Sequence, residues 1–323
     1  MQQVQPQLTP IAQALSAKAP LVVAYGLGVD STAMLVGFVK KGIRPDAILF
    51  ADVGGEKDET YAYLDVMNVY LAMHGFPQVT VVRYVPQNFK HYPAYYTLEQ
   101  NCLTNGTLPS EAFGFGSCSQ KWKAAPQKKW LDAWQPAIDA WARGEKVLRA
   151  IGFDDSCADQ KRSYKAETIV DERFDYWYPL QEWHWDRLRC KEEIAAAGLP
   201  VPPKSSCFFC PNMSKDEVAA LPADKLRRIV LMEARAKPRL VKIVGLWRKG
   251  VKGRKDPAKA KPGRMSDFIR AEGLLPAAEV DAIEQNAPRE LIDRAQAFAN
   301  GLEIESWDDV FGGLATAGGC VAV

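Results

Sequence analysis

The 323-residue chain has no run of about 18 or more uninterrupted apolar residues, the length that a membrane-spanning helix needs. Its first ten residues, MQQVQPQLTP, lack the charged and then apolar order of a secretory leader. These absences lead us to expect a cytoplasmic protein with no membrane partner. Neither an internal repeat nor a low-complexity segment is present. The pattern GxxxxGK[ST] is missing, which excludes a Walker-type phosphate loop, and GxGxxG is missing too, which weakens a dinucleotide reading. Helix-turn-helix, zinc-finger and RNA-recognition signatures are likewise absent.

What is there looks like a globular protein. Hydrophobic residues make up 47% and charged residues 25%, enough apolar material for a sizeable core. The length suits one large α/β domain with a smaller extension. Seven cysteines without a leader argue for metal binding or thiol chemistry rather than a disulfide framework. The formal charge of +2 hides a strong asymmetry, because Arg227 to Arg264 holds 14 Lys/Arg against 2 Asp/Glu and the remainder is net acidic.

The order of elements gives the fold class. Pro10 to Ala17 reads as a short amphipathic helix with Thr9 as its N-cap. LVVAY (Leu21 to Tyr25) reads as a buried strand, GLGVDST as a loop, and the following residues to Gly42 as a helix. A strand at Ala47 to Ala51, a helix from Glu59 to His74 and a strand at Val79 to Tyr84 complete two strand-helix-strand units. Such units imply a parallel sheet with right-handed crossovers, so the expected class is a doubly wound α/β sheet with a mostly helical C-terminal extension. Further along, Phe89 to Pro109 is irregular and Gly106 to Gly116 reads as a mobile loop. A helix is expected at Ala125 to Ala142, a strand at Lys146 to Gly152, an extended piece at Tyr176 to Leu180 and a helix from Trp185 to Ala197. From Lys215 the chain reads as mostly helical. We divide the sequence into 1–184, a nucleotide-binding α/β domain, and 185–323, a cysteine-containing helical region with the basic segment.

A loop between a strand and a helix N-terminus offers free N–H groups and a favourable dipole to an anion. Gly26 and Gly28 permit close backbone approach, Ser31 and Thr32 add hydroxyl donors, and Asp30 is placed to orient the loop or to hold a magnesium ion. YGLGVDSTA resembles the SGGxDS loop of the PP-loop ATP pyrophosphatases, with Tyr25 where serine usually stands and Leu27 in place of a glycine. ADVGGEKDETYAYL (Ala51 to Leu64) is similar to the (D)TGxxFPETY segment of the phosphoadenosine phosphosulfate (PAPS) reductase branch, matching at Asp52, Gly54, Glu59, Thr60 and Tyr61. SCSQKWKAAP (Ser117 to Pro126) resembles that branch's CTxxYKIxP pattern, and IGFDDSCADQKR (Ile151 to Arg162) its GxRxxExxxR strand end. The resemblance spans roughly Leu21 to Pro211. It implies ATP bound by Tyr25, Gly26, Leu27, Gly28, Val29, Asp30, Ser31 and Thr32 together with Asp52, Gly54 and Gly152. It also implies that Lys123 and Arg162 face phosphates or substrate, with Asp30 and Ser31 joining them in catalysis.

Cys207 and Cys210 form a CxxC followed by proline, a turn that aims two thiolates at one ion. The stretch from Trp185 to Pro211 resembles a segment of PP-loop reductase-like proteins in which a helical cysteine precedes CxxCP. On that resemblance Cys118, Cys190, Cys207 and Cys210 are expected as four ligands, with Cys102 in reserve. Four thiolates suit a [4Fe-4S] cluster or tetrahedral zinc, and the resemblance favours the cluster. Cys157 and Cys320 read as core or surface thiols. PAPS reductases carry a catalytic cysteine in a C-terminal ECGxH motif, whereas this chain ends TAGGCVAV, which directs the expectation away from sulfonucleotide reduction.

The expected activity is cleavage of ATP to AMP and pyrophosphate, adenylating an acceptor for sulfur transfer. A sulfur donor protein is a possible partner. The alternatives are a PAPS reductase-type oxidoreductase and a non-catalytic nucleotide- or nucleic-acid-binding module with a structural metal. Leu246 to Arg264 reads either as a loop that receives an anionic substrate such as nucleic acid, with Trp247 stacking on a base, or as a solvated linker. Trp183 and Trp185, flanking His184, read as packing residues.

Overall fold

The computed structural model describes residues 19–167, 171–254, 260–287, 299–301 and 305–317. The expected helix at Pro10 to Ala17 and Cys320 lie outside the described residues. Two compact units share the chain. One comprises 1–52, 56–83 and 124–205, and the other 53–55, 84–123 and 206–323. The linear division at 184 and 185 therefore stands beside two units that interleave in sequence.

The first unit is built on a five-stranded, all-parallel sheet of β1 (Leu21–Tyr25), β2 (Ala47–Asp52), β3 (Val79–Arg83), β4 (Val147–Ile151) and β5 (Phe174–Trp177), in the order β3-β2-β1-β4-β5. β1, and β2 as far as Ala51, are continuous apolar runs because they sit in the middle, where both faces are covered. On one face, Leu21, Val23 and Tyr25 pack with α1 (Val29–Lys41) and α2 (Asp58–Met73). On the other, Val22, Leu49 and Val147 pack against Leu131 of α3 (Ala125–Asp132) and Ala137 of α4 (Gln135–Ala142). α5 (Cys157–Glu167) follows β4, and α6 (Arg187–Ala196) adds Cys190 and Ile194 to the first face. An α/β architecture with helices on both faces is compatible with a doubly wound sheet.

Local chemistry sets the helix limits. α1 stops at Gly42, whose φ of 67° is left-handed, with Ile43 N–H donating to Phe38 O at 2.9 Å. The single helix expected at Ala125 to Ala142 is two helices, because Trp134 turns extended and Pro136 restarts the second at its first turn. Likewise Tyr176 to Leu180 is not extended throughout, since β5 ends at Trp177 and Pro179 opens a one-turn helix to Glu182. α6 begins at Arg187 rather than Trp185 because the Asp186 side chain caps Arg189 N–H. Trp183 stacks edge-on against Phe38, Trp177 and Trp185 and is a packing residue.

The second unit has its own apolar core around α7 (Ala223–Ala236), α8 (Met265–Ala271) and α9 (Ala277–Asn286). Gly106 to Gly116 is not a bare loop: Ser110–Phe113 forms a 3₁₀ turn over buried Leu108 and Ala112. Among the described residues, no helix is long and apolar enough to cross a membrane.

Candidate nucleotide and cation site

β1 delivers the chain directly into the GLGVDST loop. The strand order reverses direction between β1 and its neighbour β4, and in open parallel sheets ligands lie at such switch points, beyond the carboxyl ends of the strands. Tyr25 is buried, and its hydroxyl shares a 3.0 Å hydrogen bond with Thr32 Oγ1, joining strand end to helix. Burial raises its pKa, so the phenol stays protonated. Gly26 N–H donates to Ser31 Oγ at 3.2 Å, and that hydroxyl donates to Gly28 O at 3.2 Å. Gly28 is the N-cap of α1, and the next N–H groups open toward the helix axis without intrahelical partners.

Leu27, the residue standing in for a motif glycine, has φ of 57°. Its side chain turns into the core at 1% exposure. The backbone therefore takes the left-handed turn that glycine favours, at a cost of about 1–2 kcal/mol, which burial of a leucine worth roughly 1.5–3 kcal/mol offsets. Gly152, at the end of β4, lies against the first turn of α1. A Cβ there would stand 2.7 Å from both Ser31 Cα and Ser31 N. Gly28 is similarly enclosed, with its own added Cβ falling 2.7 Å from Ser205 Oγ.

Among the described residues, three acidic side chains converge here: Asp30, Asp154 and Asp159 have donor atoms within 4.8 Å of one another. The loop between β4 and α5 arranges two of them. Asp154 Oδ1 accepts from Ser156 N–H at 3.0 Å, and Asp159 Oδ2 accepts from Asp154 N–H at 3.3 Å. Asp30 Oδ2 meets Arg187 at 2.5 Å, while Asp30 Oδ1 is buried with no hydrogen-bond partner. Like charges 4.8 Å apart repel by about 3 kcal/mol at an effective dielectric of 20. Arg187 and Arg162, the latter 2.9 Å from Asp159 Oδ1, offset part of that. Burial first, then the charges of Asp154 and Asp159, push the Asp30 pKa up, against the pull of Arg187.

The other expected residues are distributed as follows. Arg162 is exposed and reaches the acidic group through Asp159. Asp52 is buried at the end of β2, accepting from Tyr61 O–H at 2.7 Å and Arg83 Nε at 2.8 Å. Gly54 belongs to the second unit, where its φ of 70° and the Thr97 side chain leave no room for a Cβ. Lys123 is half-buried in the π-helical turn Gln120–Ala124 of the same unit.

Cys118, Cys207 and Cys210 pack against one apolar cluster of the second unit. The CxxC turn is closed by Cys210 N–H donating to Cys207 O at 3.0 Å, and Phe208 N–H is held by Gly55 O at 2.9 Å. Among the described residues these three sulfurs do not meet the 4.8 Å convergence of the aspartates. A tetrahedral zinc would hold thiolates about 3.8 Å apart. Cys190 belongs to the first unit, inside its core, where burial and then the charges of Asp30 and Asp154 push the thiol up to about 12. Cys102 is buried and its thiol pKa is raised, chiefly by burial, while Cys157 is exposed.

Trp247 is corrected from base-stacking candidate to core residue. It is 3% exposed, donates from Nε1 to Met213 O at 3.0 Å, and packs edge-on against Phe268. Asp154, Asp159 and Arg187 were not singled out from the sequence. The acidic pair lay within the quoted stretch IGFDDSCADQKR, and only the loop geometry turns it toward Asp30. No protein-family model and no curated protein matches the chain.

Proposed function

We propose that this chain is a PP-loop, PAPS reductase-like enzyme that cleaves ATP between its α and β phosphates to adenylate an acceptor, for sulfur transfer. The observation that carries the reading is the GLGVDST loop at the β1/β4 switch point of a parallel sheet, with Gly152 packed on its helix N-terminus. That combination supports an anion held by N–H groups of Gly28 to Ser31. In the reaction an acceptor oxygen attacks the α-phosphorus, the α–β P–O bond breaks and pyrophosphate leaves. A sulfur nucleophile then displaces AMP from the adenylated acceptor, and a nucleic acid is the acceptor class we favour. Arg162 and Lys123 serve as cations facing phosphate or substrate, the role that the family resemblance implies.

The acidic group fits a magnesium ion: three carboxylates converge, and one buried Asp30 oxygen has no partner. Asp30, Asp154 and Asp159 would hold it, and it would supply charge neutralisation for the phosphates. The cysteines are a soft donor set. Cys118, Cys190, Cys207 and Cys210 are the [4Fe-4S] ligands that the family resemblance implies, and the spacing of Cys118, Cys207 and Cys210 does not fit a tetrahedral zinc.

The test is to purify the protein anaerobically, record its visible spectrum and metal content, and incubate it with α-labelled ATP and candidate acceptors. AMP and pyrophosphate that depend on Asp30 are expected. Sulfite release from a sulfonucleotide, with no pyrophosphate from ATP, would overturn the proposal in favour of reductase chemistry. Zinc without iron would remove the cluster.

A further inference from the structure

The second unit carries a feature that the nucleotide reading does not use. Residues 244–254 and 260–266 pair as the two arms of a hairpin. Its base is gripped by Glu233 of α7, a fully buried carboxylate that accepts from Leu246 N–H at 2.7 Å, Met265 N–H at 3.0 Å and Ser266 N–H at 2.9 Å, and from the Ser266 hydroxyl. Above that grip, Trp247 N–H donates to Gly263 O at 3.0 Å, and Val251 and Lys261 exchange backbone hydrogen bonds at 2.8 and 3.0 Å. Gly250 and Gly263 let the two arms meet, since a Cβ on either would fall within 3 Å of the opposite backbone.

The first arm, residues 244–254, presents charge of one sign. Arg248, Lys249, Lys252 and Arg254 are all exposed, and no Asp or Glu occurs from Leu240 to Lys255. Arg248 also ties the hairpin to a second element, donating from Nη2 to Glu111 O at 2.9 Å with Glu111 Oε1 at 3.7 Å. Glu111 lies in the 3₁₀ turn Ser110–Phe113, which is itself pinned. Gly114 N–H donates to Glu111 O, Phe115 N–H to Ser110 O and Cys118 N–H to Ser110 Oγ. Phe113 at the end of this turn is 38% exposed, and Phe115, two residues on, is 66% exposed. A single exposed ring on a frayed segment is ordinary. Two rings, one ending the locked turn and one just past it, on a segment hydrogen-bonded to a cationic arm are suited to stack on bases beside phosphate-binding cations.

We propose that this surface binds single-stranded nucleic acid, with Phe115, and Phe113 beside it, stacking on bases while Lys249, Lys252 and Arg254 contact phosphates. Bases that are already paired and stacked offer no free face to such rings, so the single strand is the form the platform fits. The inference stands apart from the ATP reading, because every residue in it belongs to the second unit and its test contains no nucleotide triphosphate.

The experiment is fluorescence anisotropy of the full-length protein with a labelled 20-nucleotide oligo-dT, an abasic strand of equal length and a self-paired hairpin, each over a series of KCl concentrations. Saturable oligo-dT binding is expected, with a log–log salt slope of about −2 if the three cations contact phosphate. A K249Q/K252Q/R254Q variant should weaken binding and make the slope shallower by about 2. Phe115→Ala should weaken oligo-dT binding about 5- to 150-fold at unchanged slope, while leaving the abasic strand unaffected. Phe115→Tyr should restore it. Arg248 is left intact because it holds the turn, and circular dichroism melting checks that each variant folds. Absence of oligo-dT binding at 50 mM KCl would overturn the proposal. So would equal Phe115 dependence for abasic and base-bearing strands, hairpin affinity matching that of the single strand, or Phe115-dependent capture by anionic vesicles without oligo-dT binding.

Discussion

Gly152→Ala places a single methyl group where the arrangement of the nucleotide site is tightest. The added carbon would stand 2.7 Å from Ser31 Cα, 2.7 Å from Ser31 N and 3.0 Å from Asp30 C, all backbone atoms of the first turn of α1. No side chain can rotate away, so helix and strand end must separate by roughly 0.7 Å to reach a tolerable contact near 3.4 Å. Three hydrogen bonds resist that: Tyr25 to Thr32, Gly26 to Ser31 and Ser31 to Gly28. Overpacking of this kind costs about 1–3 kcal/mol. The same displacement moves the N–H groups that would face pyrophosphate, so ATP or pyrophosphate binding should weaken at least several-fold as well. Gly116→Ala is the control, because nothing lies within 4 Å of a Cβ there and the backbone φ is −76°. Urea unfolding gives the stability difference, and calorimetric titration with ATP and Mg²⁺ gives the affinity. A G152A protein with the midpoint of G116A would refute the packing argument. A destabilised G152A that bound ATP with unchanged affinity would separate the packing from the function and refute the anion site.

Other outcomes follow from the same site. Because the Asp30 pKa is raised, chiefly by burial, its contribution to stability is complete below the ordinary carboxylate value of 3.8 and is lost as pH rises through the folded value. The wild-type urea midpoint should therefore fall relative to Asp30→Asn as pH climbs, and Mg²⁺ should recover it in wild type only; parallel pH curves would remove Asp30 from the cation site. Leu27→Gly relaxes a left-handed φ worth about 1–2 kcal/mol but removes a core leucine worth roughly 2–5 kcal/mol, so thermal unfolding should show a net loss, and an unchanged midpoint would contradict the packing of that side chain. At pH 8 in metal-free protein, iodoacetamide should alkylate exposed Cys157 quickly and spare Cys190, whose thiol is pushed up to about 12; equal rates by mass spectrometry would place Cys190 outside the core.

The sheet was legible because its signal is local. Leu21 to Tyr25 and Ala47 to Ala51 are uninterrupted apolar runs, and each is followed by a loop and a helix with its own limits, so element type and order can be read without knowing any long-range contact. What failed was also local in cause but lay in single residues: Pro136 restarts a helix that apolar spacing alone would continue, and Asp186 sets a start that two tryptophans obscured. The site was legible only in part. Tyr25 and Leu27 depart from the glycine-rich pattern as letters, yet the geometry gives each a reason, a hydroxyl bond to Thr32 and a left-handed turn anchored by core burial. Asp154 and Asp159 stand five residues apart across a loop and a helix start, and nothing in their spacing says that they meet Asp30 more than 120 positions earlier. Trp247 shows the same limit in reverse. Its basic neighbours suggested exposure, but a hairpin puts charged side chains outward and can bury the ring between them, so the aromatic partner of a cationic segment has to be sought on whatever element the fold ties to it, here the turn that carries Phe113 and Phe115.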